Sequence, residues 1–366
     1  QPIELPRVSD IARVAASRLP NRAMGRIRTD QDYPAGVLTP PPSSRRVPGA
    51  IARLGRMLGY LGPEGTFTHQ ALRTLSDEPA TPFPTVARAL DAVRQGRVTA
   101  SLVPIENSVE GGVSATLDQL ALPGGALQIV SEVIIAVSFD LCVRPGTRLA
   151  QVRRVISHPH AIAQVRGWLD ANLPEAVVAE CGSTAGAAQA VADPRQEFDA
   201  AVCAPLAGQL YGLVSAAEAI NDNERAATRF VLVSRPCPLP SRTGHDKTTL
   251  VAYMREDHPG ALLEILQQLA VRGVNLCRIE SRPTKTTLGE YCFNMDAEGH
   301  VADARMSEAL MGLRRICKDV VFLGSYPRAD GKAPKVPPGG SDDDYRAAAG
   351  WLRGLDPGLP GSGQVR

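Results

Sequence analysis

The chain has 366 residues, 44% of them apolar and 21% charged, with a formal net charge of +2. That length suits two or three domains with sizeable cores, and a near-neutral balance with no Lys/Arg patch in the folded-looking region argues against a nucleic-acid binder. Seven cysteines, scattered from Cys142 to Cys317 without CxxC or Cys/His metal spacing, read as reduced thiols; with no apolar run of the roughly 18–20 residues a membrane helix needs and no secretory core at the N-terminus, a cytoplasmic protein without a membrane partner is expected.

Residues 1–56 hold ten Arg against four acidic residues and the run "LTPPPSSRRVPG". Such a stretch cannot bury enough apolar surface to offset its ordering entropy. It is expected to be a disordered extension, with Met57 as a candidate natural start; an Arg-rich, acid-poor transit peptide is the rival reading. From "LGYLG" onward strand-like and helix-like segments alternate. A helix is expected over 68–75, a strand in "ASLVPIEN", and a helix in "VSATLDQLAL" after the Gly111-Gly112 turn. "RRVISH" and "AIAQVRGWLDANL", "AVVAE" and "STAGAAQAVA", "DAAVCAP" and "LAGQLYGL" continue the rhythm. It implies βαβ units and mostly parallel sheets.

The long apolar run over 127–143 reads as one strand passing into another, a crossing between two lobes, and "TRFVLVSR" from Thr228 as a strand returning to the first. An α/β unit over 57–236, with a cleft between two lobes, follows. Residues 237–246 are Pro-rich and read as a linker. Over 247–327 the order is βαββαβ, which is ferredoxin-like. From 328 to 366 the tail is expected to be mostly disordered, apart from one short helix in "DDDYRAAAGWLRGL".

Chemistry gathers at the strand ends. In "GPEGTFTHQAL" the glycines and proline build a tight turn after a strand, and Thr66 or Thr68 can cap the next helix, whose first N–H groups attract an anion. There is neither a P-loop Lys nor a GxGxxG fingerprint, so a small carboxylate fits better than a nucleotide. In "PIENSVEGG" a strand end, where open α/β sheets place ligands, offers Asn107 and Ser108 as neutral donors beside Glu106 and Glu110. "STAG", with Ser183 and Thr184, repeats the hydroxyl-bearing helix start. Each of these stretches also reads as an ordinary cap or solvated turn; together they suggest an anion-binding cleft. His158 and His160 bracket Pro159 without a third ligand nearby, which is a weak metal pattern. No nucleophile elbow or Cys/His pair supports covalent catalysis. Thr228 stands at the mouth of a buried strand, followed by Arg229 and Phe230.

In this order, "GPEGTFTHQAL", "VPIENSVEGGV", "SHPHAI", "STAGAA" and "ATRFVLVSR" resemble the bacterial-type prephenate dehydratases, and "GAL" at 260–262 and "ESRP" at 280–283 resemble the ligand signatures of their C-terminal ACT domain. The resemblance spans 58–326. It implies a periplasmic-binding-protein-like catalytic domain that converts prephenate to phenylpyruvate, water and carbon dioxide, with no metal or organic cofactor. Thr228 is then the hydroxyl that assists the leaving group. Thr66, Asn107, Ser108, His160, Ser183, Thr184, Arg229 and Phe230 are implied in substrate binding or lobe contacts, Phe230 also reading as packing behind Thr228. At His160 the family usually carries Gln, so a pH dependence near neutrality is expected. Gly260, Ala261, Leu262, Asn275, Leu276, Glu280, Ser281 and Arg282 are implied in binding L-phenylalanine as effector, in a homodimer or homotetramer. Arogenate dehydratase, a mixed cyclohexadienyl dehydratase and a small-molecule sensor are the alternatives.

Overall fold

The computed structural model describes residues 57–122, 127–285 and 290–355; the expected N-terminal extension lies outside the described residues. The chain forms β1 (Leu58–Leu61), α1 (Phe67–Leu75), β2 (Ala80–Phe83), α2 (Val86–Arg94), β3 (Ala100–Asn107), the two-residue β4 (Gly111–Gly112), α3 (Ser114–Leu120) and β5 (Gln128–Ala136). A second sheet begins with β6 (Asp140–Val143). It continues through β7 (Arg154–Ser157), α4 (Pro159–Gln164), α5 (Arg166–Asn172), β8 (Val177–Glu180), α6 (Thr184–Ala192), β9 (Ala200–Cys203), α7 (Pro205–Leu210) and β10 (Val214–Ala217). β11 (Ala227–Ser234) then returns to the first sheet.

The first sheet has the order β2-β1-β3-β11-β5 and the second β10-β6-β9-β7-β8. This is the expected pair of α/β lobes. The sheets are mixed, however, where mostly parallel ones were expected. The chain leaves the first lobe along β5 and comes back along β11, so these neighbours run in opposite senses, and β11 is also antiparallel to β3. In the second lobe β6 lies antiparallel to both β9 and β10.

Hydroxyl caps start three helices: Thr66 accepts from His69 N, Thr85 from Arg88 N and Ser183 from Gly186 N. These satisfy N–H groups that no intrahelical carbonyl can reach. The single helix expected over 161–173 is broken at Val165 instead. Asp222, more than fifty residues away, accepts from Gly167 N at 2.9 Å and Trp168 N at 3.1 Å and so starts a new helix there.

The C-terminal unit comprises β12 (Asp246–Tyr253), α8 (Ala261–Ala270), β13 (Leu276–Pro283), β14 (Tyr291–Glu298), α9 (Ala304–Ile316) and β15 (Asp319–Pro327). Its antiparallel sheet, ordered β13-β14-β12-β15, is the expected ferredoxin-like βαββαβ arrangement. Strand alternation gives the sheet two loyalties. Leu250, Ala252, Phe293 and Met295 pack under α8 and α9, whereas Val251, Cys292, Leu323 and Tyr326 join the core of the first lobe beneath α2 and α3. In the described part of the tail, 328–355, the helix expected in "DDDYRAAAGWLRGL" forms and the chain is tied to the sheets. Arg328 pairs with Glu298, Ala329 N donates to Glu132, and α10 (Asp342–Leu355) is tied to α9 through Asp342, which accepts from Ala304 N and Arg242.

β15 crosses β5 closely at Gly324, whose φ is +134° and where a Cβ would overlap the Ile129 carbonyl. We expect Gly324→Ala to destabilise the protein by about 1–3 kcal/mol through this overpacking. Gly331→Ala, at a positive φ of 63° with open space around it, should cost no more than about 1 kcal/mol. Urea unfolding of both variants reads the difference.

Candidate functional site

Loops at the C-terminal ends of β1 and β3, with the start of β11, face those after β7, β8 and β9 across the two lobes. Thr66 caps α1, and its hydroxyl donates to Pro63 O at 3.0 Å. A Cβ at the preceding Gly65 would meet Ala207 Cα and Ala185 Cβ of the other lobe, so the Thr66 turn lies close to the start of α6, where Ser183 and Thr184 lie. Phe67 and Phe139 contact edge to face at 5.3 Å. His160 Nδ1 lies 2.7 Å from Glu110 Oε2, a bridge between the β3–β4 turn and α4. Both partners are well exposed, so the pair contributes only about 0–1 kcal/mol.

Thr228 is buried, 9% exposed, and paired in register with Asn107 of β3. Asn107 Oδ1 accepts from Val109 N at 2.8 Å and Glu110 N at 3.3 Å, which fixes which end of the amide faces Thr228. Nδ2 then donates to Thr228 Oγ1 at 2.9 Å. A hydroxyl that accepts in this way keeps its own hydrogen free to donate elsewhere. Ser108 pins the start of β11: its N donates to Ala227 O and its Oγ accepts from Ala227 N, both at 2.9 Å.

Two expected site residues are not brought to this group. Arg229 leaves β11 on the opposite face, as strand alternation requires, and its guanidinium is buried among Glu132, Asp296 and Tyr326. Phe230 shares the Thr228 face but packs with Tyr60 and Leu72 as core. Thr66 and Ser183 are committed as helix caps as well as facing the other lobe. Tyr60 and His69, unmarked in the sequence reading, stack at 5.0 Å beside the Thr66 turn. Burial, with Glu64 and Tyr211 nearby, pushes the Tyr60 hydroxyl up to about 12.

His158 caps α4, its Nδ1 accepting from His160 N at 3.3 Å. Burial, then the neighbouring His160, lowers its pKa, while Glu110 and Glu180 oppose the shift. Among the described residues no three of His, Cys, Asp and Glu gather as a metal site, and no helix is long and apolar enough to cross a membrane.

A second site opens at the start of α8. A cavity of about 330 Å³ is lined by Gly260, Ala261, Leu262 and Ser281, together with Met254, Asp257, His258, Leu263, Tyr291 and Phe293. Gly260 holds φ +95° and no side chain caps the helix; Ala261 N donates to His258 O at 3.0 Å, which leaves the N–H groups of Leu262 and Leu263 for an anion. The aromatic and acidic lining escaped sequence reasoning, because Tyr291 and Phe293 come from a strand remote from the "GAL" stretch. Four expected residues lie elsewhere. Asn275 offers its carbonyl to Glu298 N, and Leu276 packs against the core under α8 and α9. Glu280 sits over Gly112 of the first lobe, and Arg282 pairs with Asp118 of α3 at 3.0 Å. Alternation along β13 accounts for the last two: Ser281 faces the cavity, while Glu280 and Arg282 on either side face the first lobe.

The prephenate dehydratase family model matches residues 58–238. A prephenate dehydratase of Amycolatopsis methanolica is 47% identical over 304 residues, 82% of this chain and 98% of that relative. Among solved structures, the prephenate dehydratase of Arthrobacter aurescens in complex with L-Phe is 48% identical, with a TM-score of 0.79 over 82% of this chain and all of that one. A protein described as a novel type of quorum-quenching acylase is 33% identical, with a TM-score of 0.67 over 74% of this chain and 98% of its own.

Two outcomes follow from this geometry. Asn107→Asp replaces the donor with a carboxylate that takes the Thr228 hydrogen for itself, so turnover should fall by at least about 10²-fold, and further than in Asn107→Ala, as steady-state kinetics will read. Because folding depresses the His158 pKa, its contribution to stability is intact above the ordinary value of about 6.5 and is lost as pH falls toward the folded value. Urea midpoints at pH 7.5 and 5.5 should therefore differ less in His158→Asn, which keeps a capping oxygen, than in the wild-type protein.

Proposed function

The chain belongs to the prephenate dehydratase family, and on that premise we propose that it converts prephenate to phenylpyruvate in phenylalanine biosynthesis, with Thr228 as the group that assists the departing hydroxyl. Prephenate is a dianion. Its ring loses carbon dioxide as the bond to the carboxylate breaks; that electron pair moves into the ring and expels the ring hydroxyl, which takes up a proton and leaves as water. One proton is consumed, and aromatisation drives the reaction. The enzyme's task is to hold the dianion and ease hydroxide away.

The observation that carries this reading is the direction of the Asn107–Thr228 hydrogen bond. A Thr that accepts from an amide can donate to the leaving oxygen, and the accepted bond strengthens that donation in a desolvated site. Neutral donors near the substrate also suit a carboxylate whose charge must vanish, since a cation there would stabilise the ground state more than the transition state. The same geometry speaks against acyl transfer. A nucleophilic Thr needs a base to take its proton, and Asn107 offers a donor instead.

We further assign the C-terminal unit as an ACT domain whose cavity at Gly260, Ala261, Leu262 and Ser281 takes L-phenylalanine, its carboxylate at the start of α8 and its ring toward Tyr291 and Phe293. Leu262, Leu263, Ile279 and Tyr291 remain exposed around the cavity, which supports a second copy of the chain closing over it in a cytoplasmic homodimer or homotetramer.

Purified protein given prephenate should form phenylpyruvate without added metal, arogenate should turn over more slowly, and phenylalanine should lower the rate. No phenylpyruvate would overturn the proposed activity; faster turnover of arogenate would reassign the substrate. Ser281→Tyr, which fills the cavity, should leave basal turnover within about two-fold while abolishing a phenylalanine response of the usual size, a coupling of about 1–3 kcal/mol.

A further inference from the structure

Arg229 directly follows Thr228, and four acceptors surround its guanidinium. Nε donates to Glu132 Oε2 at 2.6 Å; Nη1 donates to Asp296 Oδ2 at 2.5 Å and lies 3.3 Å from Glu106 Oε2; Nη2 donates to Tyr326 Oη at 2.9 Å. Glu132 and Glu106 belong to the first lobe, on β5 and β3. Asp296 and Tyr326 belong to the C-terminal sheet, on β14 and β15. The strand that carries the catalytic hydroxyl is therefore held partly by another folding unit.

The C-terminal anchors are themselves constrained. Asp296 is fully buried and also accepts from Arg278 Nε at 2.9 Å and Thr249 Oγ1 at 2.7 Å. Thr249 in turn lies 2.5 Å from the Tyr326 hydroxyl. Burial alone would raise the Asp296 pKa, but the guanidiniums of Arg229 and Arg278, with Lys247, hold it far below the usual carboxylate range. Charges in such a site cannot separate cheaply, because an unpaired buried ion costs far more than an exposed one. The Arg229 side chain must follow Asp296, and a single peptide step of about 3.8 Å joins its backbone to that of Thr228.

We propose that Asp296 and Tyr326 are positioning residues for Thr228, acting through Arg229, so that the C-terminal sheet sets the aim of the catalytic hydroxyl toward the substrate. This rests on the functional reading above and deepens it, because it gives the C-terminal unit a direct part in turnover. It also supplies a route to the cavity. Arg278, the other guanidinium on Asp296, is carried by β13, the strand whose Ser281 lines the cavity.

The test compares full-length wild-type protein with Asp296→Asn and Tyr326→Phe, measuring kcat and KM for prephenate alongside Tm. Tyr326→Phe removes one hydroxyl and leaves the core volume almost intact. The expected result is a kcat about ten-fold lower in Asp296→Asn and about three-fold lower in Tyr326→Phe, with KM within about two-fold, the pattern of a misaimed group rather than lost binding. A purely structural role would lower Tm and leave kcat per folded molecule unchanged. An Asp296→Asn protein that folds and keeps wild-type kcat overturns the proposal. So does a Tyr326→Phe protein with wild-type kcat if Asp296→Asn does not fold, and so does a loss carried by KM alone. Wild-type protein inert toward prephenate would instead sink the functional reading, and this inference with it; active wild-type protein beside unaffected variants sinks the inference alone.

Discussion

Asn107 donates from its amide nitrogen to Thr228 Oγ1, and the chemistry proposed for the cleft depends on that direction. The amide cannot turn round, because two backbone N–H groups occupy its oxygen. β3 and β11 are brought together only because the chain leaves the first lobe and returns to it, so the bond joins residues 121 apart in sequence. The crossing that divides the unit into two lobes thus also orients the Thr228 hydroxyl. The Thr66 turn on the same lobe, and the starts of α4 and α6 across the gap, bring further uncharged polar groups to where the strands of both sheets end.

Strand alternation assigns opposite tasks to adjacent residues in two places. On β11, Thr228 faces the cleft and Arg229 faces the C-terminal sheet. On β13, Ser281 faces the cavity while Glu280 and Arg282 face the first lobe. Each strand therefore touches two compartments at once, and a small movement of the backbone is felt on both sides. The buried ions around Arg229 add rigidity where a purely apolar contact would slide.

Much of this was legible in the sequence, for identifiable reasons. The hydroxyl caps at Thr66 and Ser183 obey local rules, so they could be read from a few residues. The βαββαβ order was visible from period alone, and the crossing over 127–143 from an apolar run too long for one strand. What escaped depends on residues far apart in the chain. Asp222 restarts a helix at Gly167, and Asp296 captures Arg229, which looked like a cleft residue because it stands beside Thr228. Glu280 and Arg282 share a motif with Ser281 but not its face. β2, α2 and β10 were not read at all; β2 and β10 are only four residues each and have largely exposed faces, which weakens any periodic signal.

The most direct test of the central claim is the single-turnover rate of Thr228→Val with prephenate, beside Thr228→Ser. Valine keeps the shape and removes the hydroxyl; serine keeps the hydroxyl. The account predicts a loss of at least about 10³-fold for valine and less than about 30-fold for serine. A valine variant within ten-fold of wild type, roughly 1.4 kcal/mol in barrier, would show that the Thr228 hydroxyl does not assist the departing group.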